Sequence, residues 1–117
     1  MAKQKILWLS RHPALPRQME ELQRLFGEVE VLQDSKPFSS AEEISERFRN
    51  GMFNDIVVVA PLSVIAHLVD LGIKPLWAEM DQVSLDQAEV RVKDRGYRFN
   101  RFRRVIALKL EFEEFEA

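Results

Sequence analysis

Along residues 1–80 the apolar positions switch between two patterns, short continuous runs and a three-to-four spacing, the marks of strands and helices. Lys5-Ile6-Leu7-Trp8-Leu9-Ser10 is apolar enough for a buried strand. After His12-Pro13, Met19, Leu22, Leu25 and Phe26 recur at helical spacing and predict a helix over Leu15–Phe26. Gly27 follows where a helix C-terminus wants a left-handed residue. Glu28-Val29-Glu30-Val31-Leu32 alternates as a second strand, and Asp34-Ser35-Lys36-Pro37 breaks it. Ser39 with Glu42 and Ser40 with Glu43 offer two overlapping capping boxes for a helix that buries Ile44 and Phe48 and ends at Asn50-Gly51. Asp55-Ile56-Val57-Val58-Val59-Ala60 is apolar on both faces, as a central parallel strand covered by helices must be. Pro61-Leu62-Ser63 leads into a helix carrying Val64, Ile65, Leu68, Val69 and Leu71, closed by Gly72. Lys74–Met80 reads as a fourth strand with Pro75 near its start.

Strands alternating with helices and joined by right-handed crossovers predict a small Rossmann-like α/β layer, βαβαβαβ. Beyond residue 80 the pattern changes. Asp81–Gln87 is a polar connector. Ala88-Glu89-Val90-Arg91-Val92 alternates, Asp94-Arg95-Gly96 signals a turn, and Tyr97 onward returns as an antiparallel hairpin strand. Ile106, Leu108, Leu110 and Phe112 would continue it as one apolar face. Tyr97 and Phe99 share a parity that Phe102 breaks, which predicts a bulge or bend near Asn100-Arg101. The chain thus reads as one domain over 1–117, an α/β layer over 1–80 with a basic β-hairpin extension over 81–117. Trp8 and Trp77 fall within strand patterns and are expected in the core.

Composition narrows the function classes. Apolar residues make up 46% of the 117 and charged residues 31%, too apolar for a disordered chain. The absence of cysteine excludes disulfides, thiolate metal sites and cysteine nucleophiles. No apolar run approaches the roughly 18 residues of a membrane helix, and Met1–Lys5 leads into a strand rather than a signal peptide. A cytoplasmic protein is expected. The net charge of −2 conceals an asymmetry: residues 91–104 hold seven basic residues against one acid, and the rest of the chain ten against eighteen. Such a local block suggests a specific anionic contact, or a solvated hairpin whose arginines pair with nearby carboxylates.

In open α/β sheets ligands gather at the carboxyl ends of the strands, where strand order reverses. With the common 2-1-3-4 order, the loops Ser10-Arg11-His12-Pro13 and Ala60-Pro61-Leu62-Ser63 would meet there. An arginine grips phosphate, a histidine moves a proton near neutral pH, and serine hydroxyls donate to phosphate or ribose oxygens. His67 lies among Ile65, Leu68, Val69 and Leu71 and reads as a packed or flanking histidine. No acidic cluster has a recognisable metal-ligand spacing, and there is no glycine-rich nucleotide loop, so neither a metal nor a common nucleotide cofactor is expected.

The start Ile6-Leu7-Trp8-Leu9-Ser10-Arg11-His12-Pro13 resembles the strand plus Ser-Arg-His-Pro opening of a small CRISPR-associated Csx-type family, and Asp55–Met80 is similar to that family's second unit. Those proteins are CARF-like homodimers regarded as ring nucleases, which degrade cyclic oligoadenylate messengers of type III CRISPR defence. The resemblance covers about forty residues; Ala14 stands where the family has glycine, and the Ser39–Asn50 unit and the basic hairpin have no clear counterpart. It implies Arg11 on phosphate, His12 in proton transfer, and Ser10 and Ser63 on phosphate or ribose. Arg98, Arg101 and Arg103 would then form a basic lid, with Tyr97 or Phe99 stacking on adenine. The alternative is a non-catalytic module that binds nucleic acid or a protein partner through the basic hairpin.

Overall fold

The computed structural model describes residues 3–109 and 111–116. The chain runs β1 (Gln4–Leu9), α1 (Pro16–Phe26), β2 (Val29–Asp34), α2 (Ala41–Asn50), β3 (Asp55–Val58), α3 (Leu62–Asp70), β4 (Leu76–Val83), a 3₁₀ turn (Leu85–Gln87), β5 (Val90–Val92) and β6 (Arg95–Arg104). The strands form one mixed sheet in the order β2-β1-β3-β4-β6-β5. β1 to β4 are parallel, and β6 is antiparallel to both β4 and β5. β4 crosses residue 80, so the expected connector begins as strand and the two parts of the chain share one sheet.

Alternate residues of β1 feed two cores. Leu7 and Leu9 join Ile56 and Val58 under α2 and α3, against Ala41, Ile44, Ile65 and Leu68. Ile6 and Trp8 join Val57 and Leu76 on the opposite face against Leu22 of α1, and Phe99 and Phe102 of β6 complete that cluster. Burial on both faces is why β1 and β3 read as continuous apolar runs.

Phe99 and Phe102 share a face because the ladder slips between them. Met80 pairs with Phe99 and Glu79 with Arg101, which leaves Asn100 as an extra residue. The bulge falls where the parity break predicted it. Phe102 then meets Trp8 edge-on at 6.2 Å between ring centres and Phe99 at 4.9 Å. Residues directly opposed on an antiparallel ladder share a face. Trp77 with Arg103, Glu79 with Arg101, and Asp81 with Arg98 therefore form the other side of this β4–β6 arm. The cluster beneath α2 and α3 contains no residue of β4, and Trp77 is 52% exposed. The expectation of a core Trp77 is thus corrected: its strand is covered on one face only.

Two further local readings change. Gly27 takes a positive φ of 79° after α1, and α2 ends at Asn50 before Gly51 as expected, with Met52 left-handed at φ 55°. Gly51 is needed for space, since a Cβ there would lie 2.2 Å from the Phe53 ring. At the α2 N-terminus Ser40 Oγ accepts from the Glu43 N–H, while the Glu43 carboxylate accepts from Ser39, so the Ser39–Glu42 box does not form. The apolar face expected over Ile106–Phe112 is also absent from the sheet: β6 ends at Arg104, and Ile106 and Phe112 are exposed. Leu110 lies outside the described residues. The Val105 N–H still donates to the Pro75 carbonyl, but proline has no N–H to carry the ladder further.

Val57 pairs with Leu76, whereas β1 and β3 end at Leu9 and Val58. Ala78–Val83 therefore runs on past the carboxyl edge of the parallel strands by roughly 20 Å at about 3.3 Å per residue. The radius of gyration, 15.9 Å, exceeds the roughly 13 Å of a compact chain of this length, as a projecting arm and tail require.

Candidate functional site

The first strand delivers Ser10, Arg11 and His12 to the carboxyl edge of the sheet. The loop is held from three sides. Trp8 Nε1 donates to the His12 carbonyl at 2.8 Å, the His12 N–H donates to Ser10 Oγ at 3.2 Å, and Gln33 Nε2 donates to the Ser10 carbonyl at 3.1 Å. Because Ser10 Oγ already accepts, its hydroxyl hydrogen is left to donate elsewhere. The Arg11 and His12 side chains are exposed.

These residues line a cleft of about 430 Å³ with Leu9, Val59 and the Asp34-Ser35-Lys36-Pro37-Phe38 segment. The segment after β2 thus forms the wall facing Ser10–His12, a position the sequence had assigned to Ala60–Ser63. Ser63 does not line the cleft: it lies exposed in the first turn of α3. Val59 N–H donates to the Leu9 carbonyl, and the chain then turns at Pro61 into the helix.

Sequence reasoning missed Lys36, whose only local signal was a polar break before proline. The segment is tightly braced. Asp34 Oδ1 accepts the Lys36 N–H at 3.0 Å, an Asx-type turn. From α2, Arg47 donates to the Lys36 and Pro37 carbonyls at 3.1 and 2.6 Å, to Glu43 at 2.7 Å and to Asp34 Oδ2 at 3.4 Å. Glu43 also accepts from the backbone N–H and hydroxyl of Ser39, and these bonds, with Arg47, hold its carboxyl down at about 2. The cleft's one carboxylate, Asp34, is occupied by this brace. Among the described residues no carboxylate lies within ion-pair distance of Arg11, His12 or Lys36. The cleft therefore presents Arg11 and Lys36 without ion-pair partners at the strand ends, an arrangement suited to an anion.

The hairpin residues are elsewhere. Tyr97, Arg98, Arg101 and Arg103 do not line the cleft; β6 lies three strand positions from β1. Tyr97 pairs with Gln82 and points to the face opposite Arg98, Arg101 and Arg103, so tyrosine and arginines do not form one lid. Phe99, 2% exposed, is packed against Trp8's cluster and offers no stacking surface. Three residues of the basic block, Arg101, Arg103 and Arg104, meet local acids. Glu79 faces Arg101 and Arg103 at 3.5 and 3.0 Å, which lowers the Glu79 pKa, chiefly through the Arg103 hydrogen bond. Arg104 makes a two-pronged bond to Asp55 at 2.7 Å on both prongs and donates to the Lys74 carbonyl; the Asp55 bond raises its pKa. Arg17 on α1 ties down the arm through Glu89 at 2.7 Å and the Phe99 carbonyl at 2.8 Å.

His67 is exposed, with Nε2 3.0 Å from Glu42 Oε1, joining α3 to α2. Among the described residues no three His, Asp or Glu side chains converge as a metal site would need, and no helix is long and apolar enough to cross a membrane. No family model, curated protein or solved structure matches the chain.

Proposed function

We propose that this chain is a metal-independent ring nuclease that binds cyclic oligoadenylate in the Ser10–His12 cleft of a Rossmann-like layer and cleaves it. It would act as a cytoplasmic homodimer in type III CRISPR defence. The supporting observation is that Arg11 and His12 line one cleft at the carboxyl edge of the sheet with no acid of the described residues in ion-pair reach. The Ser-Arg-His-Pro resemblance supplies the ligand class. A cyclic oligoadenylate is a ring of phosphodiesters with two-fold symmetry, which suits two copies of one cleft about a dimer axis.

Cleavage in this scheme needs the ribose 2′-hydroxyl placed in line with the adjacent phosphorus. His12 takes the 2′-hydroxyl proton as the 2′-oxygen bonds to phosphorus, and the bond to the 5′-oxygen breaks. The proton then returns from His12 to that leaving oxygen, giving a linear product with a 2′,3′-cyclic phosphate end. Arg11 stabilises the charge that builds on the phosphoryl oxygens, and the free Ser10 O–H donates to phosphate or ribose. Ser63 stands outside the cleft and has no role in the scheme.

One observation favours the hairpin instead: Trp77 is exposed directly across from Arg103 and could stack on a base. Glu79 and Asp81 on the same face weaken that surface for a polyanion. The experiment that decides is incubation with cyclic tetra- and hexa-adenylate, with and without EDTA, followed by chromatography. EDTA-resistant linear products lost in Arg11→Ala and His12→Ala, and retained in Arg101→Ala/Arg103→Ala, are expected. Neither binding nor cleavage at micromolar protein overturns the proposal. Binding of long single strands, lost with the arm arginines, would move the function to the hairpin.

A further inference from the structure

We infer that Lys36 forms the second phosphate contact of the cleft and that Arg47 is the positioning residue that holds it there. The inference rests on the cleft being a phosphate site, and it extends the ligand requirement to an anion with two separated phosphate groups.

Ser35, Lys36 and Pro37 are exposed, and an exposed polar segment needs no interior support to remain soluble. Yet the segment receives an unusual amount. One guanidinium, on a side chain only 18% exposed, donates to two successive main-chain carbonyls and two carboxylates. The donors of an arginine lie in a rigid planar fork, so four acceptors around it fix the segment's position and not merely its charge. Pro37 locks its own φ and biases Lys36 toward extended backbone. The Asx turn at Asp34 fixes the Lys36 N–H. Backbone freedom at Lys36 is thereby removed before any ligand arrives, which is how a site lowers the ordering cost of binding.

The brace also engages two neighbouring acids. Asp34 and Glu43 both bond Arg47, so neither is left for the Lys36 ammonium. Lys36 and Arg11 thus line the same cleft from the β2 and β1 loops, two cations on separate walls. A single phosphate can satisfy one wall; a phosphodiester-linked nucleotide presents a phosphate to each. Pro37, Phe38 and Val59 supply apolar lining against which a ribose or base can pack between the two charges.

The test uses the full chain and two probes, cyclic tetra-adenylate and adenosine 3′,5′-bisphosphate, by calorimetry at low and physiological salt. Lys36→Ala should raise Kd by about ten-fold, the loss of one charge-assisted hydrogen bond, and Lys36→Arg should recover most of it. Arg47→Lys keeps the charge and loses the fork, so it should also raise Kd several-fold while the far-UV circular dichroism spectrum stays unchanged. If wild type ignores cyclic tetra-adenylate but binds adenosine 3′,5′-bisphosphate in a Lys36-dependent way, the ring-nuclease proposal fails and the two-phosphate clamp stands. Equal affinity of wild type and Lys36→Ala for both probes, or no binding of either, overturns the clamp. An Arg47→Lys variant that melts lower yet binds as wild type overturns its positioning role.

Discussion

Phe102→Ala is the perturbation that bears most directly on how the arm is fastened. Phe102 is 8% exposed and sits between the Trp8 and Phe99 rings. Removing a buried phenyl ring costs about 3–5 kcal/mol through lost transfer energy and the cavity left behind, a large share of the roughly 5–15 kcal/mol that holds a domain of this size. At several degrees per kcal/mol, the melting temperature should fall by roughly 10–20 °C. The effect should reach the cleft, because Trp8 Nε1 holds the His12 carbonyl and a Trp8 ring freed on one side no longer fixes the loop. Circular dichroism melts and tryptophan fluorescence read both consequences. Trp77→Ala is the matched control, an aromatic of the adjoining strand on the uncovered face, for which a loss of about 1 kcal/mol or less is expected. Equal losses in the two variants would refute the sidedness assigned from the ladder, and with it the role of the Asn100 bulge.

Two other perturbations test local physics. Glu43 has a carboxyl pKa held down at about 2 in the folded chain, so its contribution to stability is complete above the ordinary carboxylate value and is lost as pH falls from there through about 2. Urea midpoints of Glu43→Gln should therefore depend less on pH than those of wild type across that acid range, and parallel pH profiles would contradict the assignment. Met52 is 83% exposed at φ 55°, where a side chain opposes the backbone. Met52→Gly should stabilise by roughly 0.5–1 kcal/mol once the greater freedom of glycine in the unfolded chain is deducted, seen as a melting temperature raised by a few degrees.

Much of the candidate site was legible because strand ends are set by local pattern. Ser10, Arg11 and His12 follow directly from where the first apolar run stops. Lys36 was not legible, since nothing near it in sequence shows that Arg47, on the next helix, grips its carbonyl. Ser63 was placed wrongly for a related reason: knowing which strands are neighbours does not say which of the flanking loops leans inward.

The amino-acid pattern alone determined the order of the strands and helices and the Asn100 bulge, because periodicity and parity are properties of neighbouring residues. Only the tertiary structure decided that Trp77 faces outward, that the hairpin arginines meet Glu79 and Asp55, and that β6 stops at Arg104. Each depends on which distant strand or helix lies alongside and how far it extends. An apolar residue is buried only where a second layer covers it, and a charge is free only where register brings no opposite charge beside it.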